Sequence, residues 1–413
     1  MKFNSTIGVI LGVLALTLGC KKDDDDPTLV DPDREIILGT FDYSDQESNR
    51  IPDIIFANSN EGTLLATVET NKVSGIYELK TKGFGNENFT LSYYNTSEGE
   101  KGLTTISEVP TGINIEEENR MLSFDSNITI NYAFPGVTNY FAYTNGLVIN
   151  GPSYTDDGAG NVTQVLQYNG PKSSEKLFLY IRYTNALGER KHAYRWEENY
   201  KATAELNLSI ADFTEAVLFD PVISSDVEEG GLAAISGLLN GRTCALNAYN
   251  PNKYLYITAG FDAYRYIYNG GYDDYAFSYE KTVTTNNYPE NIIINRPNWD
   301  FSYTVNNNKL MINTTGNHLF SRIISTKYSP VTEVSWSLWI PNNGTNAVSL
   351  PELPETLKIV YDSHFNDVTL FDQHYTSMES FKDYGNYATW LRDYFNNDIT
   401  LDYFGDERLT KYP

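Results

Sequence analysis

Residues 176–183 read KLFLYIRY, a run of aliphatic and aromatic side chains without glycine, proline or asparagine. Such side chains favour β-strands, and a run this apolar is typical of a strand in the interior of a sheet. The run VTQVLQY at residues 162–168 precedes it, and Asn169, Gly170 and Pro171 break the chain between the two. The two runs predict a pair of strands, of which the second is central.

Short apolar or alternating runs recur along the rest of the chain, separated by Gly, Asn, Asp and Pro. This spacing is typical of all-β domains. We predict a mainly β protein with tandem β-sandwich-like domains at residues 34–218 and 219–413. Beyond the pair above, the predicted strands lie at 35–41, 62–68, 88–94, 127–132, 253–258, 264–268, 275–282, 301–305, 309–313, 334–340, 357–361 and 368–371.

Two helices are predicted to pack on a sheet of the second domain. Ser225 and Glu228 form a capping-box pattern before apolar residues near helical spacing, which predicts a helix near 226–240. Thr376 and Glu379 form a second capping box, which predicts a helix near 377–395. The apolar stripe of this second helix is Phe381, Tyr384, Ala388, Leu391 and Phe395.

The charge of the chain excludes one class of partner. The 413 residues carry 54 acidic and 30 basic side chains, a formal net charge of −24. Such a surface repels phosphate backbones and anionic lipid heads, so we expect no nucleic-acid partner. Contact with a membrane would need a separate anchor.

The first 26 residues supply the parts of such an anchor. Lys2 is followed by an apolar run at 7–18, which is too short for a comfortable membrane span, and then by Gly19 and Cys20. The Leu-Gly-Cys at 18–20 resembles the cleavage site of bacterial lipoproteins, and the four aspartates at 23–26 resemble the export signal of surface lipoproteins of the Bacteroidota. The resemblance implies a signal peptide at 1–19, lipidation of Cys20, a tether at 20–33 and display on the outer membrane.

Lipidation of Cys20 would also decide whether the two cysteines of the chain can form a disulfide. If Cys20 carries lipid, Cys244 has no cysteine with which to form an intramolecular disulfide. Apolar residues flank Cys244, so we predict a small buried side chain, with a reactive thiol as the alternative.

Tyrosines of the second domain are the candidate ligand-binding residues. The chain has 32 tyrosines, and Tyr264, Tyr266 and Tyr268 alternate so that a strand would line their rings along one face. Tyr272 and Tyr275 follow. Phenol rings suit sugar rings and protein partners alike, which predicts binding of a glycan or a surface protein. The alternative is that these tyrosines pair across strands and complete the core.

Acidic and histidine side chains suggest metal sites, and each of these sites also has an interpretation without a metal. Each pair, Asp362 with His364 and Asp372 with His374, could present a carboxylate and an imidazole to zinc, or could lie at solvated strand ends. Two pairs of adjacent aspartates suggest calcium sites, although adjacent carboxylates also occur by chance in a chain this acidic. These acid pairs are Asp156 with Asp157 and Asp273 with Asp274.

The chain contains no H-E-x-x-H, G-x-S-x-G, C-x-x-C or P-loop motif. Glu197 and Glu198 would point to opposite faces of a strand, which excludes them as the paired carboxylates of a glycosidase. The leading hypothesis is a non-catalytic binding protein without a cofactor. The alternatives are a hydrolase without a local motif and a structural subunit of an envelope complex.

Overall fold

The computed structural model describes residues 32–97, 99–116, 126–134, 138–144, 153–168, 176–198, 205–239, 242–248, 253–273, 276–306, 309–328, 333–344, 346–361, 373–395 and 406–412. These residues are mainly in β-strands, which confirms the predicted fold class. The predicted signal peptide, Cys20 and most of the tether lie outside the described residues. Within the described ranges, no helix is long and apolar enough to cross a bilayer.

The strands are short and follow one another closely. Those of the first half are β1 (Glu35–Asp42), β2 (Ile54–Asn58), β3 (Leu64–Glu69), β4 (Ile76–Lys82), β5 (Asn88–Ser97), β6 (Glu100–Pro110), β7 (Ile113–Glu116), β8 (Ser126–Ala133), β9 (Thr138–Thr144), β10 (Ser153–Asp156), β11 (Asn161–Tyr168), β12 (Leu177–Thr184), β13 (Arg190–Glu197), β14 (Glu205–Ser209) and β15 (Thr214–Glu215).

Two helices interrupt the strands of the second half. The elements there are β16 (Leu218–Phe219), β17 (Val222–Ser225), β18 (Glu229–Leu239), β19 (Arg242–Ala245), β20 (Tyr254–Leu255), β21 (Ala263–Tyr272), β22 (Phe277–Thr285), β23 (Asn291–Ile294), β24 (Asp300–Asn306), β25 (Lys309–Thr315), β26 (Phe320–Tyr328), β27 (Glu333–Pro341), β28 (Asn346–Ser349), α1 (Glu355–Tyr361), β29 (Gln373–Ser380), α2 (Tyr387–Phe395) and β30 (Glu407–Lys411).

The largest sheet, which we call the main sheet, combines strands from both halves of the chain. Its order is β19-β18-β21-β22-β30-β29-β26-β27-β6-β5-β2-β3. Neighbouring strands are antiparallel except β6 and β27, which pair in parallel with Leu103 opposite Trp336. The main sheet contains strands from both sides of the domain boundary predicted between residues 218 and 219, since β6 precedes that boundary in the chain and β27 follows it.

Both faces of the main sheet are covered. All five residues of β2 are buried, and they divide by alternation between two cores. Ile55 and Ala57 belong to a core shared with β1, β4, β7 and α2, which we call the helix-side core. Ile54 and Phe56 belong to a larger core on the other face, shared with β20, β23, β24 and β25. Burial of both faces explains why β2 is apolar at almost every position.

Strands β8 to β15 form a separate sandwich. Its two sheets have the orders β10-β11-β8-β14 and β15-β13-β12-β9. Residues from both sheets fill the space between them, among them Ile130, Leu166 and Leu208 on one side and Leu179 and Ile181 on the other. The sequence predicted one β-sandwich domain at 34–218. Strands β8 to β15 lie in the later part of that range, whereas β2, β3, β5 and β6 belong to the main sheet.

Strand β12 is the central strand that its sequence predicts, because it is buried on both faces. Leu177, Leu179 and Ile181 point into the sandwich. Phe178 and Tyr180, which alternate with them, join the larger core of the main sheet. The sandwich is therefore attached to the main sheet through the outer face of one of its own strands.

The predicted helix at 226–240 is wrong, since these residues form strand β18. A β-bulge between Leu232 and Ala234 adds one residue, so the buried positions Leu232 and Ile235 are three apart and mimic a helical spacing. Ser225 does not cap a helix: its Oγ accepts the backbone N–H of Val227 at 3.0 Å. Gly237 is required by packing, since a Cβ there would lie 2.4 Å from the ring of Phe261.

The predicted helix at 377–395 is shorter than expected. Thr376 and Glu379 lie on β29, and α2 begins only at Tyr387. Its N-terminus is capped by Asn386, whose Oδ1 accepts the N–H of Thr389 at 2.8 Å. The residues buried by the helix are Tyr387, Trp390, Leu391 and Phe395.

The predicted strand at 357–361 is also wrong, because these residues belong to helix α1. The carbonyl of Pro354 accepts the N–H groups of Leu357 at 2.9 Å and Lys358 at 3.1 Å, which starts the helix. The predicted strand at 368–371 lies outside the described residues.

The junction between the sandwich and the main sheet gives a first testable prediction. The ring of Trp196 lies 4.8 Å from that of Phe261, and a Cβ on Gly260, whose φ is +98°, would lie 2.6 Å from Trp196. We expect Gly260→Ala to lower the free energy of unfolding by about 2–4 kcal/mol, through the ring overlap and the left-handed backbone together. Urea unfolding would measure this change.

Gly188→Ala is the matched control. Gly188 has a φ of +80° but no atom within 4 Å of an added Cβ, so the variant isolates the backbone contribution. Equal losses in both variants would contradict a close contact at the junction.

Candidate functional site

The tyrosines predicted to bind a ligand lie in the core. Tyr264, Tyr266 and Tyr268 share one face of β21, as predicted, but they are only 2%, 7% and 1% exposed. Tyr272 is 6% exposed, and Tyr275 lies outside the described residues. Alternation in the sequence shows which residues share a face of a strand, but it does not show which face meets solvent. The four described tyrosines belong to the core, as in the alternative interpretation.

Tyr272 has a specific packing role. Its ring stacks on that of Phe277 at 4.8 Å with an angle of 4° between the planes. The guanidinium of Arg296 lies 4.8 Å from the ring of Tyr272, and the ammonium of Lys411 lies 5.6 Å from that of Phe277. Two cations thus flank a pair of stacked rings, an arrangement that stabilises the strand ends.

The predicted zinc pairs remain a prediction. Asp362, His364 and Asp372 lie outside the described residues, and His374 lies on β29 opposite Ser325. Within the described part of the chain, no group of three or more His, Cys, Asp or Glu side chains could hold a metal ion.

The acidic pairs considered for calcium or catalysis have protein partners. Asp157 accepts from the side-chain Nδ2 of Asn161 at 2.7 Å and from the backbone N–H groups of Ala159 at 2.7 Å and Asn161 at 3.0 Å, which lowers the pKa of its carboxyl group. Glu197 accepts from Arg195 Nε at 2.8 Å. The remaining groups are ion pairs: Glu198 with Lys176 at 3.0 Å and Asp273 with Arg296 at 3.9 Å. Asp156 and Asp274 have side chains outside the described residues.

Cys244 is fully buried in the larger core, which confirms its predicted environment. Its neighbours there are apolar, so it packs as a small hydrophobic side chain.

A different set of aromatic and basic side chains shares one side of the main sheet. Strands β26, β29 and β30 are neighbours, and alternate residues of each point to the same side. The register pairs Arg322 with Ser377, and Glu379 with Arg408. We call the following residues the tyrosine–arginine face: Tyr328, Tyr375, Tyr412, Arg322 and Arg408.

The tyrosines of this face differ from those of β21 in exposure. Tyr328 is 49% exposed and Tyr412 is 45% exposed. Tyr375 is half-buried, and its ring centre lies 6.1 Å from that of Tyr412. Burial raises the pKa of Tyr375, while the charges of Arg322 and Arg408 act to lower it. The phenol of Tyr375 therefore stays protonated at neutral pH and can donate a hydrogen bond.

A buried carboxylate holds the two arginines under the tyrosines. The side chain of Glu379 is 2% exposed, and its Oε1 accepts from Nε of Arg322 at 3.0 Å, from Nη2 of the same residue, and from Oγ of Ser377 at 3.2 Å. Nε of Arg408 lies 3.6 Å from the same oxygen. The guanidinium of Arg322 also lies 5.3 Å from the ring centre of Trp339. Hydrogen bonds to Glu379 and stacking on Trp339 fix Arg322, and charge attraction to the same carboxylate holds Arg408 beside it.

This arrangement of rings and guanidinium groups can bind a ligand. Phenol rings offer flat apolar area with a polar edge. The Arg322 side chain is 19% exposed, and its guanidinium has N–H donors besides those that bond Glu379. The face lies on strands at the centre of the main sheet, which gives it a rigid support.

A buried serine–histidine contact bears on the alternative hypothesis that the protein is a hydrolase. Nε2 of His318 lies 2.8 Å from Oγ of Ser321, and the two residues are 3% and 1% exposed. The amide of Asn342 is oriented by two bonds, one in which its Oδ1 accepts from Thr314 at 2.6 Å and one in which its Nδ2 donates to the carbonyl of His318 at 2.8 Å.

Nδ2 of Asn342 also donates to the carbonyl of Gly316 at 2.9 Å, and Nδ1 of His318 lies 3.4 Å from it. Because His318 and Ser321 are both buried, a substrate has no access to the serine hydroxyl, and we assign the contact to the stability of the fold.

His318 predicts a pH dependence of stability. Burial lowers the pKa of His318 to about 4, so the unfolded state binds the proton more readily and stability falls as the pH drops from about 6.5 towards 4. We expect this group alone to reduce the free energy of unfolding by about 2 kcal/mol between pH 7 and pH 5.

The measurement is urea unfolding at pH 7 and pH 5 for the original chain and for His318→Gln. The variant is expected to lose about 2 kcal/mol less across this interval, whatever its absolute stability. The same decrease in both proteins would show that His318 does not titrate in this way.

No protein-family model matches this chain, and no curated protein sequence matches it.

Proposed function

We propose that this chain is a non-catalytic binding protein that captures a glycan at its tyrosine–arginine face. The observation that carries the proposal is the exposure of Tyr328 and Tyr412, at 49% and 45%, beside a third tyrosine on the same sheet face. Rings of this kind stack on sugar rings through their apolar faces. They also lose little rotamer entropy on binding, because a tyrosine side chain has two rotatable angles.

The arginines fit the same ligand class. A guanidinium group offers several N–H donors in a fixed plane, which suits hydroxyl groups spaced around a sugar ring. Because Glu379 holds Arg322 and Arg408 in place, a ligand need not order them, and binding loses less entropy.

Placement of the protein supports a surface role. We propose that the chain is anchored in the outer membrane through lipid on Cys20 and displayed at the cell surface. The support is the sequence at residues 1–26, with its apolar run, its Leu-Gly-Cys and its four aspartates. Several acyl chains would anchor it stably, since each buried methylene contributes about 0.8 kcal/mol.

A protein partner is the second candidate, favoured by one observation. Val217 and Val222 are each 64% exposed, and Ile293, on the strand paired with β17, is 68% exposed. Exposed apolar side chains grouped in this way are typical of interaction surfaces.

The test is a binding screen of the purified full-length chain against a panel of polysaccharides. We expect retention on at least one glycan. A folded chain that binds none of them would refute the glycan proposal and would direct the search to protein partners by cross-linking on intact cells.

A further inference from the structure

Strand β17 lies at the edge of a two-stranded sheet, and all four of its residues are exposed. It pairs in parallel with β23, and the N–H of Val222 donates to the carbonyl of Glu290 at 2.9 Å. Because peptide groups alternate in direction along a parallel strand, those of Ile223 and Ser225 point away from β23. Among the described residues, no strand pairs with β17 on that side.

The outer face of this small sheet exposes apolar side chains. Ile293 pairs with Ser224, two residues along β17 from Val222, so Val222 and Ile293 share this face. The two side chains are 64% and 68% exposed. Proteins commonly protect a sheet edge with charged side chains or proline, and β17 contains neither. The strand therefore has the properties of an edge that receives a partner.

The apolar surface continues from β17 towards Val217, which is 64% exposed. The carbonyl of Val217 accepts the N–H of Tyr256 at 2.8 Å, and the ring of Tyr256 lies 5.1 Å from that of Phe219. The hydroxyl group of Tyr256 donates to the carboxylate of Glu290, whose carbonyl bonds β17. These contacts join five residues into one surface, which we call the edge patch: Val217, Phe219, Val222, Tyr256 and Ile293.

Exposed carboxylates lie near both ends of β17. Lys253 neutralises one of them, since its Nζ lies 3.4 Å from Asp220. The guanidinium group of Arg296 pairs with Asp273 at 3.9 Å. The other carboxylates near β17 are exposed and form no ion pair within the described ranges; they belong to Asp226, Glu228 and Glu290. The edge patch thus has an acidic rim, which attracts a basic partner and repels a second copy of a chain whose net charge is −24.

We infer that β17 accepts an extended segment of a basic partner protein as an added strand. The outward peptide groups of Ile223 and Ser225 bond the main chain of the segment, and its alternate apolar side chains pack on the edge patch. Lysine or arginine side chains near the ends of the segment meet the acidic rim. This inference rests on the second candidate function, a protein partner, and is independent of glycan capture at the tyrosine–arginine face.

The test measures binding of a fluorescent synthetic peptide to the purified chain by anisotropy. In the peptide, valine and threonine alternate between flanking lysines, and a matched control peptide has glutamates in place of the lysines. We expect the lysine peptide to bind at least about tenfold more tightly than the glutamate peptide.

Two variants of the chain locate the site. Ile223→Pro removes an outward N–H group, and Val222→Lys/Ile293→Lys places positive charges on the edge patch without altering the main chain. We expect each to weaken binding of the lysine peptide by about tenfold or more. Ile76→Lys/Leu187→Lys adds the same charges at positions that are 63% and 82% exposed elsewhere, and it should bind as the original chain does.

Three results would overturn the inference: a folded chain that does not bind the lysine peptide, equal binding of the two peptides, or unchanged binding in the Val222→Lys/Ile293→Lys variant. Dimerisation of the chain alone in sedimentation, abolished by Ile223→Pro, would also overturn it, because the occupant would then be a second copy. Glycan binding by the same variants is expected to be unchanged. A chain that binds the lysine peptide but no glycan would refute the glycan proposal alone.

Discussion

Replacement of Glu379 by alanine is expected to lower the free energy of unfolding by about 3–5 kcal/mol. The carboxylate is 2% exposed and lies between the guanidinium groups of Arg322 and Arg408, whose side chains are 19% and 16% exposed. Without it, two like charges would remain close together with little water around them, and burial already lowers the pKa of Arg408. Chemical unfolding of the purified chain would measure the loss.

Glu355→Gln is the matched control for a carboxylate in an ion pair. Glu355 accepts from Lys358 at 2.6 Å but is 86% exposed, so its replacement should change stability by less than about 1 kcal/mol. Equal effects in the two variants would contradict the role assigned to burial. Loss of glycan binding in a folded Glu379→Gln variant would in addition show that the carboxylate positions the arginines.

The double variant Tyr375→Ala/Tyr412→Ala is expected to weaken glycan binding by about 30-fold or more. Each aromatic residue at the centre of a binding site contributes at least about 1 kcal/mol, and two such losses amount to about 2 kcal/mol. Calorimetric titration with the glycan found in the screen would measure the change. Tyr412 is 45% exposed, so its removal leaves the core intact.

Two further variants separate stacking from other effects. Tyr375→Phe/Tyr412→Phe keeps both rings and removes only the hydroxyl groups, so it should retain most of the affinity if stacking dominates. Leu187→Ala removes an 82% exposed apolar side chain elsewhere on the surface and should bind normally. Unchanged affinity in the double alanine variant would place the ligand elsewhere on the protein.

Strand prediction from the sequence succeeded for a strand that is buried on both of its faces. The run at 176–183 overlaps β12 in all but its last residue; the odd-numbered residues of this strand fill the sandwich, and its even-numbered residues Phe178 and Tyr180 fill the larger core. A strand covered on both faces has no polar alternation, so its apolar run is conspicuous in the sequence. The pairing of β6 with β27 joins residues more than 200 positions apart, and no local pattern encodes such a contact.

The helix predictions failed for reasons that spacing alone does not reveal. A β-bulge in β18 produced a three-residue interval between Leu232 and Ile235. In the second case, the capping pattern of Thr376 and Glu379 belongs to a strand that binds arginine, whereas Asn386 provides the actual cap. Asparagine ahead of the run Tyr387–Phe395 was the signal available for this start.

The candidate site could not have been found from the sequence. Tyr328, Tyr375 and Tyr412 lie on or beside three strands that are distant along the chain, and only the register of β26, β29 and β30 brings them together. The clustered tyrosines of β21 gave a stronger local signal, but their side of the strand faces the core. Which side of a strand is solvated depends on the layers packed against it, and these are set by long-range contacts.

Oxidative footprinting of the full-length chain, with and without the bound glycan, tests the central proposal most directly. Hydroxyl radicals label exposed aromatic side chains, so the two exposed tyrosines, Tyr328 and Tyr412, are sensitive reporters in the free protein. We expect the glycan to protect both residues and to leave Leu187 unchanged. Protection confined to Val222 and Ile293, or no protection of either tyrosine at saturating glycan, would contradict it.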